Sequence, residues 1–518
     1  MPILTILALV PLVGSFVVAF VPGSPARSKT IALLFALATF ALTIVAITQY
    51  DTASPDQFQL VDVYSWIPSL GLNFSLGVDG LGLIMVFLAT LLTPLVILAG
   101  WNDVEDSAEQ NPVSQPTGQV RGYFALMLLM LAMTVTVFTA LDVFLFYFVF
   151  EAVLIPVYFM IGRYGTGRRA YAAVKFLVYS LVGGLVMLAA LAVLWYVSVQ
   201  AFDAPTLYLP DLMTIDIDPT LQNWLFLGFF LAFAIKAPLF PVHTWLPDAA
   251  GSSTPGTAIL LIGVLDKLGT FGMLRFCLPL FPDAAQTFAP VIMALAVISI
   301  FYGGLVAIGQ TDMKRLFGYV SISHFGFIVL GIFAFTTQAQ VGSAFYMLGH
   351  GISTALLFMV AGYLITRRGT STIGAYSGVS SVTPVLAGMF LFAGLTALAL
   401  PGLSTFLSEF LVLLGTFSRY PWLAAFATLG IVLAAVYILL LYQRTMTGPT
   451  SETAKGMLDL NTREKVALAP LVAVVIFLGF YPAPALDVLN PFVDDVMAQV
   501  GQTDPPPTIP LATEGVQP

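Results

Sequence analysis

Four side chains that carry full charge in water stand in stretches that are otherwise apolar. They are Glu151 in Phe148-Val149-Phe150-Glu151-Ala152-Val153-Leu154, Lys236, Lys267, and Glu409 in Phe406-Leu407-Ser408-Glu409-Phe410-Leu411. In hydrocarbon each costs about 2.5–3.5 kcal/mol, so four cost on the order of 10 kcal/mol unless partners or water compensate. Ionisable residues kept at such a cost mark ion pathways and proton relays by default. A buried lysine loses its proton through desolvation and regains it beside a carboxylate, so moving the carboxylate loads or releases the proton. On this chemistry Lys236 near Glu151 is a switch, Lys267 is the next carrier, and Glu409 is the exit-side acceptor. The competing account has Glu151 and Lys236 as one static ion pair, with Lys267 and Glu409 held by backbone carbonyls. His324, in Ser321-Ile322-Ser323-His324-Phe325, and His350, in Leu348-Gly349-His350-Gly351, also lie within apolar runs. Imidazole titrates near neutrality and passes protons in either direction, and it serves equally well as a hydrogen-bonded bridge between helices. His350 is the secondary relay candidate. His243, in Pro241-Val242-His243-Thr244-Trp245-Leu246-Pro247, stands where a run ends and reads as structural.

Two prolines sit close to these charges. Pro238, two residues after Lys236, removes a backbone donor and clashes with the preceding turn, and Pro401-Gly402 interrupts the long run 382–416 ahead of Glu409. Broken helices at membrane depth line cavities or lie buried in protein, and transporters place ion sites at them. Lys236 and Glu409 stand 173 positions apart, and so do Glu151 and His324. That offset predicts two five-helix units, 122–278 and 288–442, each with an ionisable residue on its second helix and a break in its fourth. Five is odd, so the second unit starts from the opposite side and the repeats are inverted.

The elements that carry these residues follow from composition. Of the 518 residues 59% are hydrophobic and 9% charged, against roughly 25% charged in soluble domains. Apolar runs of about twenty residues, the length of a helix crossing roughly 30 Å of hydrocarbon, recur from 3–20 to 466–483. The expected fold is an all-α polytopic membrane protein with about 14 transmembrane helices. The first run has no basic stretch before it and no small-residue cleavage site after it, so it reads as a retained span. Lys and Arg gather on one set of alternate loops, leaving only Arg275 and Arg419 on the other side and Lys236 and Lys267 within spans. That side is therefore cytoplasmic, and both termini face outward. The organisation is an N-terminal three-helix segment (1–121), the two repeats, a cytoplasmic loop with the last span (443–483), and an acidic, Pro-rich outer tail (484–518). The tail contains Asp504-Pro505-Pro506-Pro507 and reads as disordered, and the acidic 101–120 loop reads as a cytoplasmic surface excursion. Cys277 is the only cysteine, which excludes an internal disulfide and a protein-ligated iron–sulfur cluster. No HExxH pair or cysteine–histidine cluster favours a metal, and a net charge of −8 gives nucleic acid no footing.

Phe74-Ser75-Leu76-Gly77-Val78-Asp79-Gly80, the Glu151 span, Lys236-Ala237-Pro238 with the His243 segment through Pro247-Asp248-Ala249, and Leu400-Pro401-Gly402 ahead of Glu409 resemble the antiporter-like subunits of respiratory complex I. The resemblance covers nearly the whole chain. L-type and N-type members, and the Mrp antiporter homologues, usually carry lysine in the second broken helix, whereas M-type members carry glutamate, as Glu409 does. The L-type members also have a long lateral helix, for which no run after Tyr481 suffices. The chain is therefore similar to the M-type members in bacteria. One departure is Ala250-Gly251-Ser252-Ser253-Thr254-Pro255, where relatives often have a histidine and an acidic residue.

The resemblance implies a proton-pumping module of NADH-quinone oxidoreductase in the bacterial plasma membrane, with no cofactor in this chain. NADH, FMN, iron–sulfur clusters and quinone belong to partner subunits. L-type and N-type neighbours, the L subunit's lateral helix and membrane lipid are the implied contacts. By the same resemblance Glu151 and Lys236 form the switching pair, Lys267 and His324 the central relay, and Glu409 the far proton site. Two rivals remain: a subunit of an Mrp-type Na+/H+ antiporter or membrane-bound hydrogenase, and a membrane scaffold with no proton path.

Overall fold

The structure, a computed structural model, describes residues 2–103, 116–452 and 454–506. Several helices begin where the sequence supplies a side-chain cap. Helix α1 is Ile3–Phe20, and α2, Pro25–Gln49, starts with the Ser24 hydroxyl accepting from Arg27 N and with Pro25 in its first turn. A hairpin of β1 (Gln59–Ile67) and β2 (Leu72–Val78) follows, so the chain is not wholly helical. Asp79 caps α3 (Gly80–Ala99) by accepting from Gly82 N at 2.7 Å. Next come α4 (Pro116–Thr139), α5 (Val143–Tyr164), capped by Asp142, and α6 (Arg169–Phe202).

Helix α7 (Pro219–Lys236) ends at the first break, and α8 (Trp245–Ser252) resumes beyond it. They are followed by α9 (Pro255–Leu280), α10 (Pro282–Ile308), α11 (Met313–Phe333) and α12 (Thr337–Arg368). The second break separates α13 (Pro384–Ala397) from α14 (Ser404–Arg419), and α15 (Pro421–Met446), α16 (Thr462–Phe480) and α17 (Ala483–Val500) complete the chain.

Among the described residues 11 helices are long and apolar enough to cross a membrane, or 12 if α16 and α17, bent by 68°, count as one. The tail expected to be disordered is therefore helical from Ala483 to Val500. Its Leu489, Phe492, Val493, Val496 and Val500 repeat at three- and four-residue spacing and are buried, which is the pattern of an amphipathic helix. Beyond it Thr337 N donates to Asp504 Oδ1 at 2.8 Å. The remainder of the tail from residue 507, and residues 104–115 of the acidic loop, lie outside the described residues.

Burial sorts the helices into layers. The apolar window of α9 is buried throughout (100%) and those of α11 and α12 almost so (94% each), against 28% for α2, 33% for α15 and 39% for α6. Outer helices turn Leu185, Trp422, Phe426 and Val432 outward, as a hydrocarbon solvent favours. Lys267, His324 and His350 thus stand on the three innermost helices.

One further buried pair was misplaced by the loop count. Arg275, assigned there to an outside connection, is enclosed at the end of α9, where its guanidinium meets Asp79 Oδ1 at 2.6 Å with both residues 1% exposed. Phe58 and Phe271 flank it at 5.1 and 4.8 Å. Because Asp79 also caps α3, this pair joins two helices through one carboxylate. Asp79→Asn keeps the cap acceptor and leaves the guanidinium without its counter-charge, a change expected to cost about 3–5 kcal/mol. The thermal midpoint of the detergent-extracted protein, which should fall, checks this.

Candidate proton-conducting axis

At the first break, Pro238 has no N–H to offer Ala234 O, and Leu239 N takes that carbonyl at 2.9 Å instead. The Ile235 carbonyl is taken by the Trp245 indole N–H at 2.9 Å, so the far side of the break is tied to the near side. This leaves Lys236 at the end of α7, 1% exposed. Its Nζ lies 5.0 Å from the centre of the Phe150 ring and 5.4 Å from that of Phe176. Neither Lys236 Nζ nor Glu151 Oε1 has a hydrogen-bond partner among the described residues. The Glu151 carboxylate instead nests against Gly184 of α6, where a Cβ would fall 2.1 Å from Oε1. Glu151 and Lys236, expected as a pair, thus form no hydrogen bond with each other among the described residues. The sequence placed both in apolar spans, with the span 173–198 between them, but carried no information about side-chain reach.

Helix α9 is wound irregularly around the next lysine. Two π-helical turns, Leu261–Leu265 and Met273–Cys277, flank the α-helical segment Lys267–Gly272. Such turns shift side-chain direction and recur at functional sites. Lys267 Nζ reaches back to Ile262 O at 2.6 Å and across to His350 Nδ1 at 2.7 Å. Phe325 covers it at 5.3 Å. His350 is therefore the direct partner of Lys267, closer to it than the expected relay member His324.

The contacts continue through the second half. The rings of His350 and His324 stand perpendicular with centroids 5.2 Å apart. His324 Nε2 lies 3.3 Å from the Tyr437 hydroxyl. The Tyr346 ring, 5.9 Å from that of His324, carries a hydroxyl that donates to Glu409 Oε1. Glu409 is 3% exposed and stands on α14 just past the second break. There Gly402 adopts a φ of +89°, a conformation that favours glycine, and the Thr405 hydroxyl spans the break to Thr396 O.

The structure thus brings Lys267, His350, His324 and Glu409 into one line and leaves Glu151 and Lys236 apart from it by direct contact. Pro238 and Pro401 both fall within the two breaks. Sequence reasoning missed Tyr346 and Tyr437, which look like ordinary core aromatics in apolar runs, and Asp266, a buried carboxylate beside Lys267. A charge in the middle of the run 254–278 was a sufficient signal for Asp266. His243 packs between Phe240 and Tyr302 at centroid distances of 5.6 and 4.7 Å, with neither ring nitrogen bonded among the described residues. On α8, Asp248 meets Lys175 at 2.7 Å and Arg315 at 2.5 Å, fastening α6 and α11 to the segment after the break.

Titratable side chains held on inner helices and beside broken ones are the arrangement that ion-translocating membrane proteins use. A family model described as "NADH:quinone oxidoreductase/Mrp antiporter, TM" matches residues 140–434, and the chain belongs to this family. Relatives that match along its whole length are named NADH-quinone oxidoreductase subunit M. That of Mycobacterium tuberculosis is 48% identical, covering 98% of this chain and 96% of its own. That of Rhodobacter capsulatus is 38% identical, covering 95% of each. Among solved structures, a chain of respiratory complex I from Thermus thermophilus matches with a TM-score of 0.86 at 31% identity, covering 97% of this chain and all (100%) of that one. The Mrp complex from a Dietzia species shares the fold, with a TM-score of 0.82 at 19% identity and coverage of 96% and 99%.

Proposed function

We propose that this protein translocates protons across a bacterial plasma membrane as an M-type membrane-arm subunit of NADH-quinone oxidoreductase. Electron transfer from NADH to quinone takes place in other subunits, which hold FMN and the iron–sulfur clusters, while this chain contributes no redox centre. L-type and N-type neighbours flank it, with the lateral helix of the L-type subunit against its side. The helices form about 14 spans with both termini outside. Two inverted five-helix repeats, 122–278 and 288–442, each place a broken helix beside a titratable residue.

The observation that carries this reading is the line from Lys267 through His350 and His324 to Tyr346 and Glu409, buried in the middle of the bundle. Lysine, imidazole, phenol and carboxylate each accept and release protons, and their partners here are one another rather than solvent. Ring-centroid separations beyond hydrogen-bond reach are bridged by water. Glu151 and Lys236 act at one end as the switch that loads the axis, and Glu409 acts as the far proton site.

Lys236→Met tests the reading at the loading end. Methionine removes the charge, keeps the length and packs against the Phe150 and Phe176 rings. In inverted membrane vesicles the assembled complex should show proton uptake driven by NADH reduced about tenfold or more, a threshold below the roughly 10²–10⁴-fold that positioned acid–base groups contribute. Normal uptake by the assembled variant would remove Lys236 from the mechanism. The antiporter reading is separated in the same vesicles: uptake that follows an imposed sodium gradient without NADH would favour it.

A further inference from the structure

Asp266 is completely buried, and neither of its carboxylate oxygens has a hydrogen-bond partner among the described residues. A carboxylate in that state is strongly disfavoured unless it takes up a proton or reaches a polar partner. Its place on α9 supplies candidates for both. Consecutive helical residues point about 100° apart, so Asp266 and Lys267 face different neighbours. Lys267 shares its side with Gly263, where the α9 backbone approaches Gly351 of α12, and it bonds His350 there. Asp266 shares its side with Gly269, three residues on, which is pressed against the end of α7. A Cβ at Gly269 would fall 2.4 Å from Phe233 O and 2.5 Å from Ala237 N, the hydrogen-bonded backbone pair that closes the turn ending at Lys236. Asp266 thus lies on the side of α9 that meets the end of α7 carrying Lys236, and its neighbour in the chain is Lys267.

We propose that Asp266 is a proton-carrying residue that bridges Lys236 and Lys267, the two lysines that no direct contact joins. The inference rests on the proton-translocating reading above and deepens it. The Lys236 ammonium gives a proton, through water, to an Asp266 oxygen, leaving a neutral amine and a neutral carboxylic acid. The acid then gives that proton to the neutral Lys267 amine, which restores the carboxylate and forms an ammonium facing His350. No electron moves, and the net change is one proton passed from α7 to α9. The helix thereby couples the two halves of the bundle through adjacent residues on its two faces.

The test is the proton-to-electron ratio of the whole complex in inverted membrane vesicles, measured for Asp266→Asn, Asp266→Glu and Lys267→Met. The expected result is that Asp266→Asn lowers the ratio to that of Lys267→Met, while Asp266→Glu restores it. A purely structural role would not show rescue confined to the titratable substitute. A wild-type ratio in Asp266→Asn, beside a lowered one in Lys267→Met, overturns the proposal and leaves the relay standing. A wild-type ratio in Lys267→Met overturns the relay and this inference with it. Should Asp266→Asn fail to assemble, the isosteric apolar Asp266→Leu is read in the same way. If neither assembles while Lys267→Met does, the carboxylate is a structural counter-ion and the proposal falls.

Discussion

Replacing Glu409 by glutamine is expected to lower NADH-driven proton translocation about tenfold or more while the complex still assembles. The side chain lies at the end of the buried line, and its hydrogen-bonded contact is the Tyr346 hydroxyl. Glutamine keeps the carbonyl oxygen that accepts from Tyr346 and nearly the same volume, so helix packing survives. What it lacks is a site that can take up and lose a proton. Glu409→Asp retains that site on a shorter stem and should keep a measurable fraction of the activity. Proton uptake and NADH oxidation, recorded on the same vesicles and normalised to assembled complex, check both variants. Equal translocation in Glu409→Gln and the unaltered protein would mean that Tyr346 and Glu409 are a packing contact only.

Lys267 carries the second large effect. Its ammonium holds two partners, Ile262 O and His350 Nδ1, so it ties the backbone of α9 to the first histidine. Lys267→Met removes a buried charge, which relieves desolvation, but leaves the two acceptors short of a donor, about 1–3 kcal/mol each. Assembly should therefore be modestly weakened and translocation reduced about tenfold or more. Lys267→Arg separates charge from titration. Guanidinium stays protonated, so it can fill the place of the cation but cannot unload. The arginine variant is expected to assemble and to translocate as poorly as the methionine one. If arginine supports normal translocation, a permanent cation is enough, and Lys267 does not carry the proton.

Most of the long apolar spans, and the charges within them, could be read from the chain because both signals are local. An apolar run long enough to cross hydrocarbon announces itself, and a lysine or glutamate inside it is conspicuous. Pro238 and Pro401 marked both breaks for the same reason, since the missing N–H acts within one helical turn. Contact across helices was not legible. Glu151 and Lys236 looked like a pair because they are opposite charges buried in apolar spans, yet the carboxylate turns to Gly184 and the ammonium to two aromatic rings. His350 looked secondary because nothing local to it records that a helix more than eighty residues earlier would place Lys267 Nζ against its ring. Tyr346 and Tyr437 were hidden by composition, because tyrosines at helical spacing in apolar runs are mostly core.

Two errors arose from reading polar residues as loop. The segment Gln59–Ile67 alternates apolar and polar side chains, as in Val61-Asp62-Val63, and that period of two is a strand signal. In α17, Pro491 and the acidic pair Asp494-Asp495 obscured a helical repeat of buried residues. The π-helical turns of α9 left no sequence mark. Gly263, inside the first of them, and Gly269 and Gly272, between the two, are points of close approach by neighbouring helices.

The connected line from α9 to α14 is tested most directly by measuring the proton-to-electron ratio of four complexes side by side: unaltered, Lys267→Met, Glu409→Gln, and the double variant. Residues that serve one path are not independent, so the double variant is expected to lose no more than the worse of the two single ones. Losses that add, or a single variant that pumps normally once assembled, would show that Lys267 and Glu409 do not belong to one proton path.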